Sequence, residues 1–421
     1  MKKVLEIKEC RSCYSKDFKP ILSLGNQYIT NFIESKEEQK KIPQVPLDLV
    51  LCDNCKLLQL KHNAPPESMW GDQYWYKSGI STTIKDDLKD IVRNIYKKMS
   101  LKKGHLVVDI GCNDGTLLEF YNQKENLILV GFEPSNNVAQ EASKKNFRVI
   151  NDFFNAEKFK ETFRDKKAKV ITAISMFYDL ENPNQFLKDI TSILDPHGLF
   201  VIQQNYLMSM LEQNAFDNIC HEHREYYSLH SLKKILKKYD LEIFDVLTSD
   251  INGGSLRTYI KFKENANLKG SKGAEERIRT LLEKEEKLGL NSLKPYQEFS
   301  ARISTIKENL MNFLRKERAS GKKIWIYGAS TRGNVILQYF DIDSNLVDCI
   351  ADKNPEKDGK RTVGSLIPIT SPEKMRLENP DILLVNTWHF FDEIRKQEEE
   401  LFNKGCKFIV ALPEFKVFEK N

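Results

Sequence analysis

Val107-Val-Asp-Ile-Gly-Cys-Asn-Asp-Gly-Thr-Leu-Leu118 reads as a strand, a glycine loop and the start of a helix. The run from Leu106 to Ile110 is short and apolar but for Asp109, as in a buried strand. Gly111 lets the backbone turn sharply and approach a ligand with no Cβ in the way. In open α/β sheets, ligands bind at the carboxyl ends of the strands, where this loop lies. The next apolar run, Leu127-Ile-Leu-Val-Gly-Phe-Glu-Pro134, ends on Glu133. A carboxylate there can accept both hydroxyls of a ribose, as the acidic residue ~20 positions on does in dinucleotide folds.

Outward from this loop, strand runs alternate with helical patterns: Leu106–Ile110, Leu127–Phe132, Val170–Ile174 and Leu199–Gln203. That alternation predicts a doubly wound α/β sheet over residues 69–262. Residues 263–320 are charged and helical, with Ile278, Leu281, Leu282 and Leu288 spaced for one helix face, and read as a connector. From 321 to 421 alternation resumes at Lys323–Tyr327, Val347–Ala351, Ile382–Val385 and Phe408–Leu412, a second and smaller Rossmann-like unit. Residues 1–68 differ: they carry Cys10-x-x-Cys13 and Cys52-x-x-Cys55 and turn signals such as Gly25-Asn26 and Pro65-Pro66.

Composition narrows the classes. The 65 basic and 60 acidic residues leave a net charge of only +5, and the lysine pairs are interspersed with acidic residues, which gives no case for nucleic acid. Neither an apolar leader at the start nor a later stretch long enough to span a bilayer is present, so a cytoplasmic protein with no membrane partner is expected. Cysteines in that compartment stay reduced, and two Cys-x-x-Cys knuckles can complete a tetrahedron around structural Zn²⁺ with Cys10, Cys13, Cys52 and Cys55. Cys112, Cys220, Cys349 and Cys406 show no ligand spacing.

The glycine loop has two readings, a dinucleotide site and a methyl-donor site. A dinucleotide loop uses Gly-x-Gly-x-x-Gly, whereas Gly111-Cys-Asn-Asp-Gly115 has a different spacing, and Asp109 just ahead of it suits S-adenosyl-L-methionine better. Asp109, Gly111, Asn113, Asp114, Gly115 and Glu133 are the expected cofactor contacts, with Asp152 and Phe153 beside the adenine. The densest group of acid–base candidates is Phe216-Asp-Asn-Ile-Cys-His-Glu-His-Arg-Glu-Tyr-Tyr-Ser-Leu-His-Ser-Leu232, which follows the strand Leu199–Gln203. A histidine beside a carboxylate can be held in one tautomer and tuned as a base near neutral pH.

Taken together, the two cysteine pairs, Tyr74-Trp-Tyr76-Lys-Ser-Gly, the 109–115 loop, Asp217 to Leu229, Gly253-Gly-Ser-Leu-Arg257 and Tyr327-Gly-Ala-Ser-Thr-Arg-Gly-Asn334 resemble the nucleotide-sugar C-methyltransferases of deoxysugar biosynthesis. The resemblance runs over almost the whole chain. It implies a small N-terminal zinc-binding domain, a central class I methyltransferase sheet that binds S-adenosyl-L-methionine, and a C-terminal Rossmann-like domain that helps hold a nucleotide-linked sugar. By position it makes His223 the base on a 4-keto sugar, with Glu222 beside it and His221 as the alternative base. Tyr76 would supply a hydrogen bond or orient the sugar. Tyr74, Tyr226, Gly254, Ser255, Arg257 and Arg332 would contact the substrate, Arg332 at the diphosphate.

Four positions depart from the family pattern. Asn252 stands where a histidine is usual, Cys220 where a tyrosine is, Gln203 where a glutamate is, and Cys112 where a smaller residue is. They bear on the sugar more than on the reaction class. The expected activity is carbon methylation of an NDP-4-keto-deoxysugar at C-3. Methylation of a sugar oxygen or nitrogen is the alternative enzyme reading, and a zinc-containing RNA-associated module the alternative from the binding class. The oligomeric state stays open, a monomer included.

Overall fold

A computed structural model describes residues 4–71, 74–121 and 125–420. Its largest sheet is built from β4 (Leu106–Ile110), β5 (Ile128–Phe132), β6 (Arg148–Ile150), β7 (Ala168–Ile174), β8 (Leu194–Asn205), β10 (Leu241–Ser249) and β11 (Ser255–Phe262). Their order across the sheet is β10-β11-β8-β7-β4-β5-β6, with β11 antiparallel to both its neighbours and the other pairs parallel. The chain steps outward from β4 in one direction through β5 and β6, then returns to the other side with β7. That reversal opens a crevice at the carboxyl ends of β4 and β7. All five residues of β4 are buried, the carboxyl-bearing Asp109 among them. The helix α1 (Thr82–Lys98) precedes it, capped by the Ser81 hydroxyl accepting from the Ile84 N–H, and buries Ile84, Leu88, Ile91, Val92 and Ile95 along one stripe.

The N-terminal sheet contains β1 (Phe18–Tyr28), β2 (Gln44–Cys52) and β3 (Leu58–Leu60), longer strands than its turn-rich sequence suggests. Its fourth member comes from far along the chain: β9 (Glu225–Tyr226) pairs antiparallel with β3, placing Glu225 opposite Gln59 and Tyr226 opposite Leu58. The C-terminal sheet has the order β14-β13-β12-β15-β16-β17, from Ile369–Thr370, Cys349–Ala351, Ile324–Tyr327, Ile382–Val385, Lys407–Val410 and Lys416–Phe418, parallel except for the last strand. It is a second doubly wound unit.

Between the two α/β sheets run α2 (Ala274–Leu288) and α3 (Lys294–Ala319). Ile278, Leu281, Leu282 and Leu288 of α2 pack on the central core, the face their spacing predicts. The apolar face of α3, with Phe299, Ile303, Ile306 and Leu310, joins Leu47 and Leu49 of β2 to the C-terminal strands in one continuous core. A further two-residue pairing, Phe32–Ile33 with Arg361–Thr362, ties the N-terminal segment to the C-terminal one. Among the described residues no helix is long and apolar enough to cross a membrane.

Candidate active site and zinc centre

The crevice at the carboxyl ends of β4 and β7 holds a cavity of about 190 Å³, whose wall includes Asp109, Gly111, Asn113, Glu133, Asp152 and Phe153. Asp109 is buried and its carboxyl accepts from the Thr172 hydroxyl on the adjacent strand at 2.6 Å. Burial pushes its pKa up to about 7. Gly111 has φ +71, and a Cβ there would lie 3.2 Å from the Met176 side chain, so glycine keeps both the turn and the cavity wall open. Glu133 receives the Asn113 N–H at 2.9 Å on one oxygen and the Ser135 N–H at 2.8 Å on the other. Each carboxylate oxygen keeps a lone pair, so the carboxylate is fixed by the loop and can still accept from a ribose. Burial raises its pKa. Asp152 is paired with Lys158, and the Phe153 ring, 49% exposed, stands edge-on to Trp70. This donor set, an acid-fixed loop with a glycine cradle and an aromatic face, fits S-adenosyl-L-methionine.

Two of the expected cofactor contacts lie behind the wall. Asp114 accepts from the Gly79 N–H at 2.7 Å and from the Thr116 N–H and hydroxyl at 3.1 and 2.6 Å, which makes it a loop-bracing residue. Gly115 has φ +79, and a Cβ would come 2.2 Å from the Phe147 ring, so it serves packing at the helix start.

The roof of the cavity is the 74–78 segment. Tyr74, Tyr76 and Ser78 line it, and Tyr76 is 46% exposed. Asn113 holds this segment by donating to the Tyr76 carbonyl at 3.0 Å and accepting from the Ser78 N–H at 2.9 Å. Trp75 faces the other way: its indole N–H donates to Asn31 at 3.0 Å and its ring packs edge-on against Phe32. The aromatic triplet therefore divides between cavity and seam.

Residues 221–223 are also divided. The His221 ring, buried, bonds through Nε2 to the Val45 carbonyl at 2.9 Å, and burial lowers its pKa to about 4. It anchors the segment to β2 and lines neither the large cavity nor its small neighbour. His223 bonds through Nδ1 to the Asn218 carbonyl at 2.9 Å. A carbonyl only accepts, so Nδ1 carries the proton and Nε2 keeps a free lone pair. Burial and then the Arg332 guanidinium lower the His223 pKa to about 3, so the ring is neutral. Burial pushes the Glu222 carboxyl up to about 7. Donor atoms of Cys220, Glu222 and His223 lie within 4.8 Å of one another, a grouping that spacing did not suggest for Cys220.

Glu222 and His223 do not line the large cavity. His223 lines a small adjoining one of about 10 Å³ together with Tyr178, Glu225 and Tyr226. The turn Phe177–Asp179 contributes to both walls: Asp179 lines the large cavity, Tyr178 the small one, and the Tyr178 ring stands edge-on to His223 with centroids 4.5 Å apart. Tyr226 donates its hydroxyl to the same Asn218 carbonyl at 3.3 Å.

The remaining residues expected to contact substrate have partners within the chain. Arg257 is buried and spends its guanidinium on Gln203 at 2.6 Å, Asp90 at 2.8 Å and Asp87 at 2.9 Å. Gln203 and Asp87 line the cavity in its stead, a signal readable only from the pairing of β8 with β11. Gly254 packs on Ser209, the Ser255 hydroxyl donates to the Ile251 carbonyl at 2.9 Å, and Ile251 and Asn252 just before them reach the cavity. Arg332 pairs with Asp217 at 2.8 Å and donates to the Asn252 carbonyl at 2.6 Å, so it braces two units together.

Though 39 to 45 residues separate their paired cysteines in sequence, the two knuckles converge. The four sulfurs of Cys10, Cys13, Cys52 and Cys55 lie within 4.8 Å of one another, with Cys10–Cys55 and Cys13–Cys52 both at 3.5 Å and none in a disulfide. A tetrahedron of thiolates about 2.3 Å from zinc has edges of nearly this length. Each knuckle is followed by a residue of positive φ, Tyr14 at 62° and Lys56 at 61°, so the two turns match. The Gln59 amide donates to the Cys10 sulfur at 3.2 Å and the Asn54 amide to Cys13 at 3.5 Å, as neighbours of a metal-bound thiolate do. The set fits Zn²⁺ with all four positions filled, a structural centre.

Family profiles match in the same order along the chain: a zinc binding domain over residues 10–70, a methyltransferase domain over 83–246 and a C-methyltransferase C-terminal domain over 250–413. The C-methyltransferase NovU of Streptomyces niveus is 30% identical over 416 residues, covering 98% of this chain and 97% of that protein. Among solved structures, a chain of the complex between the Haloferax volcanii Trm112 methyltransferase activator and a methyltransferase aligns with 15% identity and a TM-score of 0.35, over 43% of this chain and 94% of that one. An S-adenosylmethionine-dependent methyltransferase from Clostridium acetobutylicum aligns with 14% identity and a TM-score of 0.34, over 44% and 93%.

Proposed function

The chain belongs to the C-methyltransferase family that joins a zinc binding domain, a methyltransferase domain and a C-terminal domain, and on that premise we propose that it methylates C-3 of an NDP-4-keto-deoxysugar. The observation that carries the reading is His223, a neutral imidazole held by Nδ1 with its Nε2 lone pair free and a carboxyl beside it. A ketone at C-4 makes the C-3 proton acidic, and a positioned imidazole can remove it. Glu222, whose carboxyl burial pushes up to about 7, stands beside the ring. Glu133 and the Gly111 turn hold the cofactor, and Asp152 and Phe153 flank its base. Bound there, S-adenosyl-L-methionine supplies an electrophilic methyl group on a positively charged sulfur. Tyr76, on the cavity wall, donates a hydrogen bond to the oxygen on which charge develops and orients the sugar. The Asn113 bonds to Tyr76 and Ser78 hold that roof in place over the loop.

The test is mass spectrometry of reactions containing TDP-, GDP- or CDP-linked 4-keto sugars and methyl-labelled donor, run in deuterated water. A carbon-linked label with deuterium exchange at C-3 is expected. A label on oxygen or nitrogen with no exchange overturns the reading in favour of a hetero-atom methyltransferase.

A further inference from the structure

Among the described residues of the cavity wall, Asp179 alone has a buried side-chain polar atom, Oδ1, with no hydrogen-bond partner. A buried carboxyl oxygen with no partner costs free energy, and such groups persist where a ligand completes them. Its placement is tightly determined. Asp179 ends the turn Phe177–Asp179 just past the carboxyl end of β7, where its N–H bonds to the Met176 carbonyl at 3.0 Å. Its own carbonyl accepts from Arg224 at 3.3 Å. The preceding residue, Tyr178, is the ring that stands against His223. One short turn thus faces the proposed base with one side chain and the donor cavity with the next.

We propose that Asp179 is a catalytic residue that, as a protonated carboxylic acid, donates a hydrogen bond to the C-4 oxygen of the keto sugar. The assignment rests on the keto-sugar reading above. Two features keep the proton on Asp179. Burial raises its pKa well above the ordinary carboxylate range and Glu222 raises it further; Arg224 opposes them, and Glu225 adds a smaller upward push. In the reaction, His223 takes the C-3 proton, the C–H pair becomes the C-3–C-4 double bond, and the carbonyl pair moves onto the C-4 oxygen. The Asp179 O–H, with the Tyr76 hydroxyl, stabilises that oxygen as its charge grows. C-3 then takes the methyl carbon, the bonding pair stays on the sulfur, and the oxygen's pair re-forms the carbonyl. Asp179 ends with its proton.

The measurement is NMR of C-3 deuterium exchange in TDP-4-keto-6-deoxyglucose in deuterated water, with S-adenosylhomocysteine in the donor site, beside calorimetry of donor binding. Asp179→Ala is expected to slow exchange by about 100-fold, the scale of losing one oxyanion donor, while donor affinity stays within about twofold. Asp179→Asn, whose amide still donates, is expected to stay within about tenfold of the wild type. If D179A loses donor binding as well, Asp179→Ser takes its place with the same expected loss of exchange. Undiminished exchange in D179A or D179S overturns the assignment. A D179N variant as slow as D179A overturns it too, because a carboxylate and not a donor would then be required. Absence of exchange in the wild-type enzyme overturns the keto-sugar reading and this assignment with it, whereas exchange that D179A leaves intact overturns this assignment alone.

Discussion

His221 and His223 stand two positions apart and are held by opposite ring nitrogens, the first by Nε2 and the second by Nδ1. The difference predicts separate phenotypes. His223→Ala should keep donor binding and lose methyl transfer by about 10²–10⁴-fold, the usual worth of a positioned base, in a steady-state assay. His221→Ala should instead cost about 1–3 kcal/mol of stability for the orphaned Val45 carbonyl, measured by urea unfolding. Glu133→Gln brings an amide N–H toward a backbone N–H, and donor affinity measured by calorimetry should fall about tenfold or more. A pH effect follows from Glu225, whose carboxyl burial pushes up to about 8. Between the ordinary value of 4.5 and about 8, the folded chain keeps a proton that the unfolded chain has lost, so stability falls as pH rises through that window and levels above it. Glu225→Gln should flatten the fall between pH 5 and 8 in urea midpoints. At this scale the sequence revealed residue types and the loop that carries them. It could not reveal that Arg257 and Arg332 are already paired, because their partners Asp87, Asp90 and Asp217 lie on other elements.

The strands were legible where period and length speak clearly. Leu106–Ile110 and Ile382–Val385 coincide with the strand runs read from the sequence, since buried parallel strands are rich in Val, Ile and Leu and only Asp109 breaks the pattern. The pair Glu225–Tyr226 was not, because two residues in a polar, histidine-rich segment carry no period at all. That pair joins the metal unit to the proposed base: Gln59, opposite Glu225, donates to Cys10, and Arg11 between the knuckle cysteines bonds to Gln59 at 3.3 Å and to Asn63. Removing zinc should therefore loosen the segment that holds His223. Cys52→Ser is expected to bind less than one zinc per chain by metal analysis, to unfold at lower urea than the wild type, and to lose methyl transfer more than donor binding.

At the scale of the whole molecule, the three units meet through polar contacts that are individually few and deeply placed. Arg332 of the C-terminal unit grips Asp217 of the central one, and the Trp388 indole donates to the same carboxylate at 3.1 Å. Asp217→Ala would leave a guanidinium that is only 13% exposed without its counter-charge, at a cost of about 3–5 kcal/mol in urea unfolding. Adding Arg332→Ala should recover a large part of that loss. The order α/β sheet, helical connector, α/β sheet was readable from alternation alone, whereas the way the units interlock depends on residues far apart in the chain. Both β9 on the N-terminal sheet and the pairing of Phe32–Ile33 with Arg361–Thr362 span long sequence separations. During translation, the N-terminal unit can gather its four cysteines as soon as residue 55 leaves the ribosome. Its sheet, however, waits for residue 225, and the strand pair at Phe32–Ile33 waits for residue 361. The emerging chain must therefore carry an unfinished sheet edge while residues 61–224 are made.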